Sequence, residues 1–276
     1  MTPPVSSTTG VDAAAARAAV VAMVAPVTSM LRNVTRPNAP ALGEWDLTEV
    51  AVHLSHSLDA ISGVAKGGGS ILKDIWDLPK LSGALVGGEA ERDLGKLADR
   101  IEATVAEFIP LVGAADEGVA HAWLIGGIQF PVSTLVCQAL NELVVHGYDI
   151  AQAEGAPWPI DRAHATLILL GFVFPALNSL GGAMVEQEAA GDTRAILEVR
   201  LRGGGRAYFH FDRGDFAITD GPGGRVDCHL SVDPVAFMLV AWGRTSQWPA
   251  IARGQLLAWG RRPWLGLKLR GMLRNP

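Results

Sequence analysis

Apolar residues recur every three or four positions along most of the first two thirds of the chain. Near Gly191 they give way to short segments in which apolar and polar residues alternate. The first spacing is that of helices with one covered face, the second that of half-covered strands. From Asp12 to about Val34 an Ala/Val/Met-rich run predicts a first helix, stopped by Pro37 and Pro40. A second helix is announced by Asp46 and Glu49, an Asp-x-x-Glu variant of the capping box, with Trp45 and Val50 at the positions of a hydrophobic staple. Leu47, Val50, Leu54, Leu58 and Ile61 form its apolar stripe, and His53 and His56 fall to one side. A third helix, Glu89 to about Ile109, turns Leu94, Leu97, Ile101, Val105 and Phe108 inward. A fourth opens near Pro131 and ends where Gly155, Pro157 and Pro159 follow Glu154. Asp161 is placed to cap a fifth, running through Ala165 to Glu188.

Beyond Gly191 the alternation predicts strands at Ile196 to Leu201 and Ala207 to Phe211, joined through three glycines as a hairpin, and a third near Phe216 to Thr219. A fourth, Val226 to Val232, stops at Asp233 and Pro234, an N-cap and first-turn pair opening a helix through Ala241. Gln255 to Trp259 reads as a last strand and Trp264 to Leu273 as a terminal helix after Pro263. The expected fold class is α+β in two domains: a helical bundle over 11–190 and a small domain with an antiparallel sheet over 191–276. Residues 1–10, rich in Pro, Ser and Thr, are expected to be a disordered leader rather than a signal peptide, because no Lys or Arg precedes the Ala/Val run.

Two stretches fit neither pattern cleanly. Gly67 to Gly88 is apolar but irregular; it reads either as a loop with a short helix packed over the bundle or as a lid and pocket wall. Ala165 to Val185 is long enough to cross a bilayer, but Pro175, Asn178 and paired glycines interrupt it, which favours a buried helix kinked near the proline over a membrane span.

At 276 residues the chain is long enough for two cores. A net charge of −5 and a pI near 5.8, with no evident basic cluster or interleaved aromatic stripe, argue against nucleic acid as a partner. Cys137 and Cys228 form no Cys-x-x-Cys and lie in different kinds of segment, as suits a reduced cytoplasm.

The chemistry concentrates in the fourth helix. At about 100° per residue Gln138, Glu142, His146 and Asp149 form one polar stripe on an otherwise apolar helix. A carboxylate and an imidazole four residues apart can hold one divalent ion without distorting a helix, but two ligands are half a site. The competing reading is an ordinary Glu–His pair satisfied within a core.

Three pieces taken together resemble the mycothiol-dependent maleylpyruvate isomerase family: Trp45-Asp-Leu-Thr-Glu-Val-Ala-Val-His53-Leu, then Glu142-Leu-Val-Val-His146-Gly-Tyr-Asp149, then the αβ tail. The resemblance implies a DinB-like four-helix bundle carrying a metal site, followed by a domain similar to sterol carrier protein. Carried over position by position, it implies His53, Glu142 and His146 as metal ligands, with zinc the expected divalent ion and mycothiol the thiol cosubstrate. Such a metal would hold the thiol as thiolate for addition to a small electrophilic substrate. For maleylpyruvate, addition to the cis double bond and elimination after rotation would deliver fumarylpyruvate. Asp149, and Gln138 or Glu49, are candidates to orient a ligand imidazole. An arginine of the second domain would suit a carboxylate clamp, and Arg202, Arg206 and Arg213 lie in or beside its first hairpin without a local feature choosing among them.

The apolar 67–88 segment and Trp242, Trp248, Trp259 and Trp264 point to a more hydrophobic site than a small dicarboxylate needs. The readings carried forward are therefore a thiol-dependent isomerase or S-transferase and, as the alternative, a non-enzymatic module binding a lipid or small apolar ligand around a structural or vestigial metal. Oligomeric state, monomer or dimer, has no signature in the sequence.

Overall fold

A computed structural model describes residues 11–274; the leader expected over 1–10 lies outside the described residues. Helical and sheet segments are sorted along the chain much as the periodicities direct. Contacts cluster into two units, Asp12–Ile160 and a second beginning at Asp161.

The first unit contains α1 (Ala13–Arg32), a small hairpin of β1 (Pro40–Leu42) and β2 (Trp45–Asp46), and α2 (Leu47–Ala65). A 3-10 turn at Ile75–Asp77 leads into α3 (Leu78–Gly88), followed by α4 (Leu94–Ala114), a hairpin of β3 (Ala120–Ala122) and β4 (Gln129–Pro131), and α5 (Val132–Glu154). α1 and α2 each pack on both α4 and α5, which makes a four-membered ring of helices around one core. Leu47, Leu54, Leu97, Ile101, Leu135, Leu140 and Leu143 are fully buried in it. The start of α2 has both halves of the expected capping box: Glu49 N–H donates to Asp46 Oδ1 at 2.9 Å and Asp46 N–H to Glu49 Oε2 at 3.0 Å. α4 continues through Pro110, past the expected stop at Ile109. The Gly67 to Gly88 segment holds a short helix that packs on α2 and buries Val86.

α5 is covered almost all round, with seventeen of its 23 residues buried, so a polar group on it must find a partner inside the protein. Its C-terminus is closed by Gly155 in the left-handed region at φ 70°.

The second unit opens with a single helical run in three parts: α6 (Arg162–Ile168), a π-helical segment Leu169–Val173, and α7 (Phe174–Leu180). The π segment ends just before Pro175, whose ring and missing N–H cannot sit in an unbroken α ladder. The kink expected near the proline takes this form. One-turn α8 (Gln187–Ala190) precedes β5 (Arg194–Leu201), β6 (Arg206–Asp212), β7 (Asp215–Thr219) and β8 (Cys228–Val232). Then come α9 (Pro234–Ala241), α10 (Gln247–Ala252), β9 (Leu256–Trp259) and α11 (Trp264–Met272). The sheet order is β7-β6-β5-β8-β9. Three of its pairings are antiparallel as expected, but β5 and β8 run parallel, Leu197 opposite Cys228 through Leu201 opposite Val232. Alternation specifies which face a side chain takes, not the direction of its neighbour.

The contact boundary falls at 160/161 rather than at the expected 190/191. The physical reason is aromatic: Phe174 on α7 meets Phe209 edge-on at 5.2 Å, and Phe209 meets Phe216 at 5.6 Å, so this helix belongs to the core under the sheet. Arg162 also pairs with Asp233 at the start of α9.

Ala13–Arg32 and Arg162–Met184 are long and apolar enough to cross a membrane by length and composition alone. Each also buries a face, Ala16, Val20, Val27 and Leu31 on the first and Ala165, Ile168, Phe172 and Phe174 on the second.

Candidate metal centre

α2 and α5 face each other in the bundle, and this contact brings His53 to a pair of side chains whose nearer member, Glu142, is 89 positions further along the chain. His53, Glu142 and His146 each offer one ligand atom, all within 4.8 Å of one another. Glu142 Oε2 stands between the imidazoles, 3.4 Å from His146 Nε2 and 3.9 Å from His53 Nε2. The two rings meet edge-on with centroids 4.8 Å apart.

The surroundings hold these groups in place. His146 Nδ1 is 3.0 Å from Asp149 Oδ2, one turn along α5. Asn141 Nδ2 donates to the other Glu142 oxygen, Oε1, at 3.3 Å. Ser57 Oγ lies 3.3 Å from His53 Nε2, and the Trp45 ring covers His53 at 5.0 Å. The β1–β2 hairpin and the capping box therefore set a wall of the site as well as the start of a helix. Gly147, beside His146, has a packing reason: a Cβ there would lie 2.3 Å from the Trp158 ring. The Trp158 indole Nε1 donates to the Val144 carbonyl at 3.1 Å, so the ring is bolted across this turn of α5.

Of the three candidates for orienting a ligand imidazole, Asp149 is the one at an imidazole nitrogen. Gln138 instead accepts from Trp123 Nε1 at 2.9 Å, and Glu49 is used in the capping box. His56 turns to Glu89, with Nε2 2.9 Å from Oε2, in a network with Arg100 and Asp59.

The electrostatics are unusual for a bundle interior. Burial alone would lower the His146 pKa, but the carboxylates of Asp149 and Glu142 overcome it and push the imidazole up to about 9. For Glu142 burial works to raise the pKa, and the His146 hydrogen bond with the charges of both histidines brings it below the ordinary carboxylate value. His146 thus has a carboxylate at each ring nitrogen. With its Nδ1–H directed to Asp149, its Nε2 lone pair would face a carboxylate oxygen unless a proton or a cation lay between them. The donor set fits a cation: two imidazole nitrogens and a carboxylate oxygen are borderline ligands suited to zinc and its neighbours. Ligands about 2.0–2.1 Å from a tetrahedral zinc stand about 3.3 Å apart, close to the 3.4 Å between His146 and Glu142. His53 Nε2, 3.9 Å from Glu142 Oε2, stands somewhat wider than that spacing.

Arg202, Arg206 and Arg213 lie in the other unit. Arg202 donates to Ser231 Oγ at 3.1 Å and to the Gly254 carbonyl at 2.7 Å. Arg213 occupies the tight β6–β7 turn at φ 52°. Arg206 joins a cluster that the sequence does not advertise: Glu198, buried on β5, contacts Arg200 at 2.6 Å, Arg206 at 3.2 Å and His229. The Tyr208 hydroxyl also donates to it at 3.2 Å. Burial would raise the Glu198 pKa, yet these partners, Arg200 first, hold it down to about 2. The strand pairing assembles it on one face: Glu198 stands opposite Tyr208 on β6 and His229 on β8, and Arg200 opposite Arg206.

A helical bundle with a His/Glu/His pocket, followed by a small sheet unit, is a recognisable class of architecture. No family model matches the sequence, and no curated protein matches it. Among solved structures, the chain is similar to mycothiol-dependent maleylpyruvate isomerase, with a TM-score of 0.55 over 92% of this chain and 95% of that one, at 12% identity. A histidine-to-alanine variant of that isomerase matches with the same figures. A UbiJ-SCP2 ubiquinone synthesis protein covers 36% of this chain at a TM-score of 0.29, too loose a likeness to carry an argument. At 12% identity the shared property is the fold.

Proposed function

We propose that the chain is a metal-dependent enzyme that uses a thiol, mycothiol, against a small electrophilic substrate, as an isomerase or thiol S-transferase. The observation that carries this reading is the convergence of His53, Glu142 and His146 inside the bundle, with Asp149 behind His146. The whole-length fold likeness to a mycothiol-dependent isomerase supports the choice of thiol and reaction class. Three N/O ligands are the number expected of a catalytic rather than a closed structural zinc site.

A divalent ion bound there would supply the positive charge that keeps a thiol ionised near neutral pH. The protein's own groups do the rest. Asp149 fixes the His146 proton on Nδ1 and so turns Nε2 inward. Asn141 holds Glu142 Oε1 and leaves Oε2 for the site. Trp45 covers His53 and restricts water. Maleylpyruvate is the first substrate to try, because a cis double bond conjugated to a carbonyl is open to thiolate addition, rotation and elimination.

The test is metal content of the purified protein, followed by cobalt substitution and titration with mycothiol. About one equivalent of metal, lost in His146→Ala, and a thiolate-to-cobalt charge-transfer band are expected. Full metal retention in His146→Ala overturns the ligand assignment. Metal without any response to the thiol overturns the thiol chemistry and favours the binding-module alternative.

A further inference from the structure

The net charge of −5 conceals an uneven distribution. From Pro234 to Pro276 the chain has seven Lys or Arg and no Asp or Glu, so the first 233 residues hold 16 basic against 28 acidic. Overall charge pointed away from a polyanionic partner; this last stretch is locally basic and carries four of the eight tryptophans.

The fold buries part of its apolar side chains and exposes others. Trp248 on α10 is 61% exposed, and Trp264 and Leu267 on α11 are 51% and 43% exposed. Gln247 Nε2 donates to the Leu267 carbonyl at 3.0 Å, which ties the start of α10 to the middle of α11 and sets these side chains on neighbouring helices. On α11, Trp264, Leu267, Lys268 and Gly271 are the exposed positions, at the spacing of one helical face, while Leu265, Leu269 and Met272 are buried. β9 presents Ala258 to α11, while Leu257 and Trp259 point to the other face of the sheet, where Trp259 stacks on His229 beneath Arg200, so they are not part of this surface. Lys268 lies on this exposed face of α11 and Arg253 caps the C-terminus of α10, and both are exposed to solvent.

We propose that the α10–α11 face binds the surface of an anionic lipid bilayer. Three features choose this occupant. Exposed tryptophan and leucine held on a rigid scaffold have no reason to be wet in a monomer, and tryptophan favours the bilayer interface. Each nearby Lys or Arg adds attraction to anionic headgroups. Leucines contribute to acyl-chain burial but not to stacking on bases, which sets the patch apart from a nucleic-acid platform. The face lies in the unit that does not hold the metal ligands, so this inference does not depend on the proposed chemistry.

The test uses the full-length protein with vesicles of phosphatidylcholine alone or mixed with phosphatidylglycerol, read by co-sedimentation and tryptophan emission. The expected result is a preference of about tenfold or more for the anionic vesicles, reduced about fivefold in Lys268→Ala and again in Arg253→Ala. Trp248→Ser combined with Trp264→Ser removes the emission blue shift and most of the binding, with the circular dichroism spectrum unchanged. Quenching of wild-type emission by brominated lipid gives the same answer without any variant. Equal partition into neutral and anionic vesicles overturns the proposal, as does binding indifferent to the tryptophan substitutions. Retention of short DNA in place of vesicles, or a dimer dissolved by Trp264→Ser, also overturns it and assigns the face to nucleic acid or to a second copy.

Discussion

Two glutamates in this protein, the buried Glu198 and the half-buried Glu142, are flanked by basic side chains, and they are built on opposite principles. Glu198 is surrounded by Arg200, Arg206, His229 and the Tyr208 hydroxyl. Guanidinium groups are always charged, so the site is complete as it stands. Among the described residues Glu142 is paired with two imidazoles, His53 and His146, with a second carboxylate, Asp149, behind one of them. Each of these two partners is a titratable ring that gives up its charge when it gives up its proton. A carboxylate stabilised by arginines is structural furniture; one that faces only histidines keeps room for an exchangeable cation.

The comparison can be broken from either side. The largest effect is expected at the closed site: Glu198→Ala removes the shared carboxylate of two half-exposed guanidiniums, His229 and Tyr208, and should destabilise the second unit by about 2–3 kcal/mol, read by urea unfolding. At the open site, Asp149→Asn should lower zinc affinity by about 10–100-fold in a chelator competition, with little change in unfolding, because the His146 tautomer is no longer imposed. Gly147→Ala should cost about 1–3 kcal/mol, seen as a lower Tm, since the new methyl overlaps the Trp158 ring. The smallest effect is a pH signature. Glu198 is held down to about 2, so its contribution is complete above the unfolded-state value near 4.5 and is lost as pH falls from there toward 2. Glu198→Gln should remove that part of the acid loss, measured as the difference between the two unfolding profiles across that window.

Much of this was legible in the chain itself, for identifiable reasons. Asp46 and Glu49 are three residues apart, and a capping box is a local object that needs no tertiary information. The 142–149 polar stripe stands out because the rest of α5 is apolar and buried. What the sequence hid depended on partners far away. Gly147 is required by Trp158, eleven residues on. Glu198 looked like one more outward polar residue of an alternating strand, and only the pairing of β5 with β6 and β8 encloses it. The parallel β5–β8 pairing left no trace in the alternation, and the contact boundary at 160/161 left none either, because an apolar helix of a bundle and an apolar helix under a sheet have the same period. The two small hairpins, β1–β2 and β3–β4, have strands of two or three residues, too short for any pattern to declare. α10, six residues long, escaped for the same reason.

The π-helical segment ahead of Pro175 has a consequence for how relatives of this chain should be compared. A π turn takes up more residues than an α turn over the same length of helix axis, so side chains after Val173 are rotated in phase from where an ideal α-helix would put them. A relative lacking the proline is expected to lack the extra residue as well. Aligning the two without a single-residue gap near 169–173 would assign the lining of the sheet's core to solvent, and the error would pass along the rest of α7.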